Sequence, residues 1–307
     1  MQDARSQSRT ATAALALLSI IWGYNWVVMK LGLASAGPFD FSAMRFLLGA
    51  ACLFPFMLFR RDVIMPVGRQ WAPLLLLGVM LSANFGCVMS ALRIGGAGKT
   101  AVLVYTMPFW VLVFARIVLK EKLTRLQVIA VSAGAAGLGI LIEPWNLSGP
   151  LLASLLAVFA GMSWGASVVI VKAIQGSARP ISTMMITFWQ MMIAVPLLAA
   201  VGWLFDPTPV RWSWPFALAL AYVAVLATGL AWLLFYYALR RMSAGMAGLG
   251  TLATPVIGVA AAWIQLGERP NATETFGMIL IALALGLLAL SARKPDTGQG
   301  PPRKNAD

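Results

Sequence analysis

Apolar runs about as long as a bilayer is thick follow one another along almost the whole chain. A hydrocarbon core of about 30 Å is crossed by about 20 helical residues, and ten segments meet that length. They cover 11–33, 39–59, 71–92, 97–118, 124–142, 150–173, 180–204, 213–238, 244–265 and 274–292. In lipid every backbone polar group must find its partner within the protein, so such runs fold as helices. Of the 307 residues 60% are hydrophobic and 11% charged, and the mean hydropathy is +0.84. An all-α membrane protein that takes the lipid bilayer as solvent follows.

The net charge of +13 does not mark a nucleic-acid binder, because the basic residues stand singly or in pairs between apolar runs rather than along one stripe. Their placement reports topology instead. With the N-terminus inside, the cytoplasmic segments hold Arg5 and Arg9, Arg60, Arg61 and Arg69, Arg116, Lys120, Lys122 and Arg125, Lys172 and Arg179, Arg240 and Arg241, and Arg293, Lys294, Arg303 and Lys304. The other face holds Lys30, Arg93, Lys99, Arg211 and Arg269. That bias puts both termini in the cytoplasm of an inner-membrane protein. Trp145, Trp203, Trp212 and Trp214 sit near span ends, as an interfacial aromatic belt requires. The first run is too long for the core of a cleaved signal and is read as a membrane helix.

The absence of histidine removes imidazole relays and Ser-His-Asp chemistry. Cys52 and Cys87 lie inside apolar runs without ligand neighbours and are read as packing residues. No catalytic residue, metal site or cofactor is expected. Gly98-Lys99-Thr100 lacks the spacing of a phosphate loop.

The chain repeats itself. A shift of 142 lays Trp22-Gly23 on Trp164-Gly165, Lys30 on Lys172, Pro38 on Pro180 and Phe46 on Phe188. A shift of 147 lays Ala97-Gly98 on Ala244-Gly245, Pro108 on Pro255, Glu121 on Glu268 and Gly139 on Gly286. The domains expected are a cytoplasmic tail 1–10, a first five-helix repeat 11–146, a second 147–292, and a disordered cytoplasmic tail 293–307. Five is odd, so the second half enters the membrane from the opposite side, an inverted repeat of two five-helix halves.

Trp22-Gly23-Tyr-Asn25, Met-Ser-Trp164-Gly165, Arg45, Gly-Ala97-Gly98-Lys-Thr-Ala and the paired stretches Pro108 to Gly139 and Pro255 to Gly286 resemble the drug/metabolite transporter superfamily. The resemblance is to its ten-helix members with two EamA-type domains, and it spans about residues 11–292. It implies a secondary transporter, with Glu121 and Glu268 fixing the loop between the last two helices of each half.

Inverted repeats place substrates near the midplane between halves. The expected lining is Trp22, Asn25, Asn84, Tyr105, Trp164, Trp232 and Tyr236. Asn25 and Asn84, inside spans, each need a cavity or a neighbouring helix as partner. Arg45 is a candidate buried charge that pairs with carbonyls, binds an anionic substrate, or snorkels to the surface. Pro108 and Pro255 are read as kinks, with gating and static bending both open. No carboxylate lies mid-span, which favours facilitated diffusion or exchange. The leading function is export of a small-molecule substrate, a neutral or aromatic amino acid or a drug-like amphipath, by alternating access. The alternative is a non-transporting sensor or partner subunit; an intramembrane enzyme lacks a nucleophile with its base.

Overall fold

A computed structural model describes residues 2–59, 65–120, 123–143, 151–177, 181–239 and 253–291, without the side chains of 2–9, 236, 238 and 239. Among these all regular structure is helical. The helices are α1 (Gln2–Gly32), α2 (Pro38–Phe59), α3 (Trp71–Ile94), α4 (Ala97–Val104), α5 (Met107–Val118), α6 (Arg125–Ile142), α7 (Leu151–Gln175) and α8 (Thr183–Phe205). They continue with α9 (Trp214–Ala221), a π-helical segment Tyr222–Leu230, α10 (Ala231–Leu239), α11 (Ala253–Leu266) and α12 (Ala272–Ser291). Nine stretches among the described residues are long and apolar enough to cross a membrane, and α11 is a shorter apolar helix.

Most observed ends fall within three residues of the expected spans. The first departure is α1, which is helical from Gln2, through the expected tail. The second is the span 97–118, which is two helices rather than one bent helix. Pro108 cannot donate a backbone hydrogen bond, so it sits in the first turn of α5, where none is needed. The chain turns at Tyr105 and Thr106, and the Thr106 hydroxyl donates to Leu103 O at 2.6 Å. The third is the π-helical stretch, where Ala231 N donates to Leu226 O and Thr228 Oγ1 to Val223 O, each five residues back. Glu121, Trp145, Pro180, Gly245, Gly248, Gly250 and the expected span's residues 244–252 lie outside the described residues.

The repeat is written into packing. Thr124 and Gln127 cap α6 reciprocally, Gln127 N donating to Thr124 Oγ1 at 3.3 Å and Thr124 N to Gln127 Oε1 at 2.8 Å. Asn271 and Glu274, 147 residues on, do the same for α12, at 2.8 and 3.1 Å. A Cβ at Gly23 would stand 2.6 Å from Ile257, and one at Gly165 would stand 2.8 Å from Trp110. Those two crossings are repeat equivalents, each made possible by the missing side chain.

Exchanging the halves also maps the helix contacts onto themselves. α3 packs on α7 and α8, as the π segment packs on α1 and α2; α7 packs on α4 and α5, as α1 packs on α11; α2 meets α8, and α6 meets α12. Two bundles result, one of α1, the π segment with α9 and α10, and α11, the other of α3, α4, α5 and α7. Inside the first, Trp22 Nε1 donates to Ala227 O at 2.9 Å and Tyr222 Oη to Ile21 O at 2.9 Å. Inside the second, Asn84 Nδ2 donates to Ala160 O at 2.6 Å.

Candidate functional site

Three buried polar side chains converge where α1, α2 and the π segment meet. Arg45, on α2, is 5% exposed and Asn25, on α1, is 6% exposed, so Arg45 lies in the interior and does not snorkel. Its Nε donates to Thr228 Oγ1 at 3.1 Å, and Nη1 lies 3.0 Å from Met29 Sδ. The guanidinium carbon stands 4.7 Å from the Phe85 ring centre and 5.9 Å from that of Phe46, a cation–π setting for a charge out of water. Asn25 Nδ2 contacts the same sulfur at 3.5 Å, and its Oδ1 is buried without a hydrogen-bond partner. Thr228 reaches Arg45 because Gly49, one turn along α2, leaves room: a Cβ there would stand 2.6 Å from the threonine methyl.

The expected aromatic lining resolves into two groups. Trp22 meets Trp232 edge-on at 5.9 Å and Phe235 at 6.0 Å, within the first bundle. Tyr105 bridges the bundles at the α4–α5 break, 6.2 Å from Trp26 and 5.8 Å from Trp164, both edge-on. Trp22 and Trp164, equivalent in the repeat, therefore keep different company. Asn84 donates its amide to Ala160 O on α7, an interhelical bond within the second bundle. The side chain of Tyr236 lies outside the described residues. Pro255 is buried near the start of α11, beside Thr254, whose hydroxyl is buried without a hydrogen-bond partner.

Met29, Thr228 and Phe85 complete the Arg45 environment and were not among the expected lining. The single threonine of a largely apolar span is the available signal for Thr228, and Met29 shares a helix face with Trp22 and Asn25. A cavity of about 840 Å³ lies elsewhere. It is an apolar groove between the start of α3, the end of α5 and the end of α7, bordered by Arg69, Phe114, Val169 and Ile174.

One end of the molecule carries charged links, two of which join the bundles. Lys30 Nζ, from α1, binds the carbonyls of Leu92 and Gly95 at the end of α3, a cation on a helix C-terminus. Glu268, after α11, accepts from Gly98 N at 3.1 Å, a carboxylate on the N-terminus of α4. Beyond the loop of its own half, to which the resemblance assigns it, Glu268 reaches across to the other half. Lys99 pairs with Glu274 at 2.9 Å, and Arg93 with Asp206. Lys30, Arg93 and Lys99, assigned to one face by the charge count, thus share one end.

Comparisons with known proteins agree with this architecture. A crystal structure shares the fold, with a TM-score of 0.66 over 93% of this chain and 98% of that one at 18% identity. A probable amino-acid metabolite efflux pump of Salmonella typhimurium is 30% identical over 88% of this chain and 91% of its own length. A riboflavin transporter of Rhizobium johnstonii is 29% identical over 89% of this chain and 86% of its own. The EamA-like transporter family matches twice, at residues 10–142 and 151–290. With two such domains arranged as an inverted repeat of membrane helices, the chain belongs to the EamA-like transporter family.

Proposed function

We propose that the chain is an inner-membrane secondary transporter that exports a small organic metabolite by rocking its two bundles against each other. The observation that carries the reading is the distribution of bonds. Hydrogen bonds of Trp22, Tyr222 and Asn84 stay within a bundle, so each can move as a body. The charged links of Lys30 and Glu268 cross between the bundles at one end. Breaking them would open that end, the alternating motion that inverted repeats make possible. The α4–α5 break beside Pro108 supplies a hinge in one of the moving helices.

The substrate site in this reading lies between the bundles, around Arg45 and Asn25, with Trp22, Tyr105, Trp164 and Trp232 as its aromatic walls. Both termini are cytoplasmic, which puts the Lys30–Glu268 end outside. The name of the Salmonella relative favours amino-acid metabolites and efflux. A largely aromatic lining with one cation suits neutral or aromatic amino acids better than polyanions.

The test is counterflow of a labelled metabolite panel in proteoliposomes of the purified protein, with no ion gradient imposed. Exchange of at least one metabolite is expected; strict dependence on a proton gradient would remove the facilitator reading. Reporter fusions after Lys122 and after Trp145 should report cytoplasm and exterior respectively, and the reverse pattern would invert the topology.

A further inference from the structure

We propose that Arg45 and Asn25 form a head-group subsite that selects a carboxylate carrying an ammonium on the neighbouring carbon, the zwitterionic end of an α-amino acid. The proposal rests on the transport reading and narrows it: neutral amphipaths lacking a carboxylate would not be the substrates.

Arg45 is a fixed cation in the membrane interior, and neither ion pair among the described residues includes it. A guanidinium carries five N–H donors in a planar fork and cannot shed its charge. Its partners are a hydroxyl, a thioether sulfur and two ring faces, none of which is an anion. A buried charge without a counter-ion is unfavourable, and intramembrane cations of this kind mark ligand or ion sites. Thr228 and the rings orient the fork without neutralising it, leaving the anion to be supplied from outside.

The second observation is independent. Asn25 Oδ1 is an acceptor buried at 6% exposure with no donor facing it. Orphaned buried acceptors are rare in folded proteins, and each calls for an explanation. An incoming N–H group would satisfy it.

The two groups are also spaced for one small molecule. Asn25 Nδ2 lies 3.5 Å and Arg45 Nη1 3.0 Å from the same Met29 sulfur, so the two nitrogens stand at most about 6.5 Å apart. A ligand lying to one side of the line through the Met29 sulfur, with one oxygen about 2.8 Å from Arg45 and one nitrogen about 2.8 Å from Asn25 Oδ1, needs its two groups no farther apart than the substituents of a single carbon. Trp22, one helical turn before Asn25 on α1, offers its cluster with Trp232 and Phe235 to the side chain.

Binding is measured by thermal shift on the purified full chain for the twenty common L-amino acids. Each is set against its carboxamide, which lacks the anion, and its des-amino acid, which lacks the ammonium. At least one amino acid should bind about tenfold or more tightly than both analogues, a factor equal to about 1.4 kcal/mol. Arg45→Gln should abolish the preference over the carboxamide, and Asn25→Ala the preference over the des-amino acid. A ligand-independent reading comes from Arg45→Met, which should raise the thermal midpoint of the empty protein, because it removes an uncompensated buried charge. A fall in that midpoint, together with an acid preference that survives in folded Arg45→Gln, would make Arg45 a structural residue and overturn the proposal. The transport reading is separable in the same vesicles. Counterflow of riboflavin but of no amino acid would leave a transporter without this subsite. Acid-selective binding without counterflow would leave the subsite and remove transport.

Discussion

Helices α2 and α8 occupy equivalent places in the two halves and pack on each other, with Phe46 of one matching Phe188 of the other. One step before the phenylalanine they part. α2 carries Arg45, whose charge is turned toward α1 and the π segment. α8 carries Thr187, an uncharged side chain whose hydroxyl donates to Thr183 O one turn back on its own helix at 2.8 Å. The scaffold is duplicated and the chemistry is not. The proposed rocking needs only that the two bundles be mechanically alike, whereas the proposed recognition of one substrate molecule is served by one cation.

The mechanical half of that contrast is broken most severely at the crossings. Gly23→Leu and Gly165→Leu should each destabilise the protein by about 1–3 kcal/mol or more through overpacking, read as a fall in thermal midpoint in detergent. Equal falls are expected because the two crossings are equivalent; a large effect at only one would mean that the halves do not share the load. The chemical half is probed next. Arg45→Ala should reduce counterflow about tenfold or more, equivalent to about 1.4 kcal/mol, whereas Thr187→Val should leave it within about twofold. Comparable losses at both positions would erase the asymmetry.

Glu268→Gln, which removes the charge on α4 but keeps the side chain's shape, should lower stability by about 0.3–1 kcal/mol. It should also make a thiol introduced near Gly98 react faster with a membrane-impermeant reagent. The smallest effect is expected at Phe54→Ala. Phe54 is 39% exposed and meets the Phe188 ring at 5.9 Å, and lipid replaces a lost apolar contact readily. Its thermal midpoint should change by less than about 0.5 kcal/mol equivalent.

Hydropathy was enough to find the spans, because lipid imposes one demand along each whole segment. The duplication was legible for the same reason that the capping boxes are: Thr124–Gln127 and Asn271–Glu274 are local patterns. Pro108 announced a disturbance but not that the helix would end at Tyr105, since that depends on Thr106 closing the turn. Asn84 and Asn25 look alike in sequence, yet one is spent on α7 and the other left open, a distinction made only by which helix lies opposite. Glu268 was assigned to its own half because its partner, Gly98, lies 170 residues away. The π segment was hidden in a uniformly apolar run that offers no phase to read.

That π segment fixes how this region can change length. The repeat register slips from 142 to 147 between Phe188 and Ala238, and Tyr222–Leu230 lies within that interval. A helix wound with five-residue hydrogen bonds stores surplus residues that an α-helix would have to discard into a loop. Removing one residue there would let the winding tighten toward an α-helix, whose larger rotation per residue makes up most of what the deletion takes away, so Trp232 would stay against Trp22. The same deletion in an α-helical span would swing everything after it by about 100° about the axis. These nine residues therefore act as a buffer for changes of length inside a span.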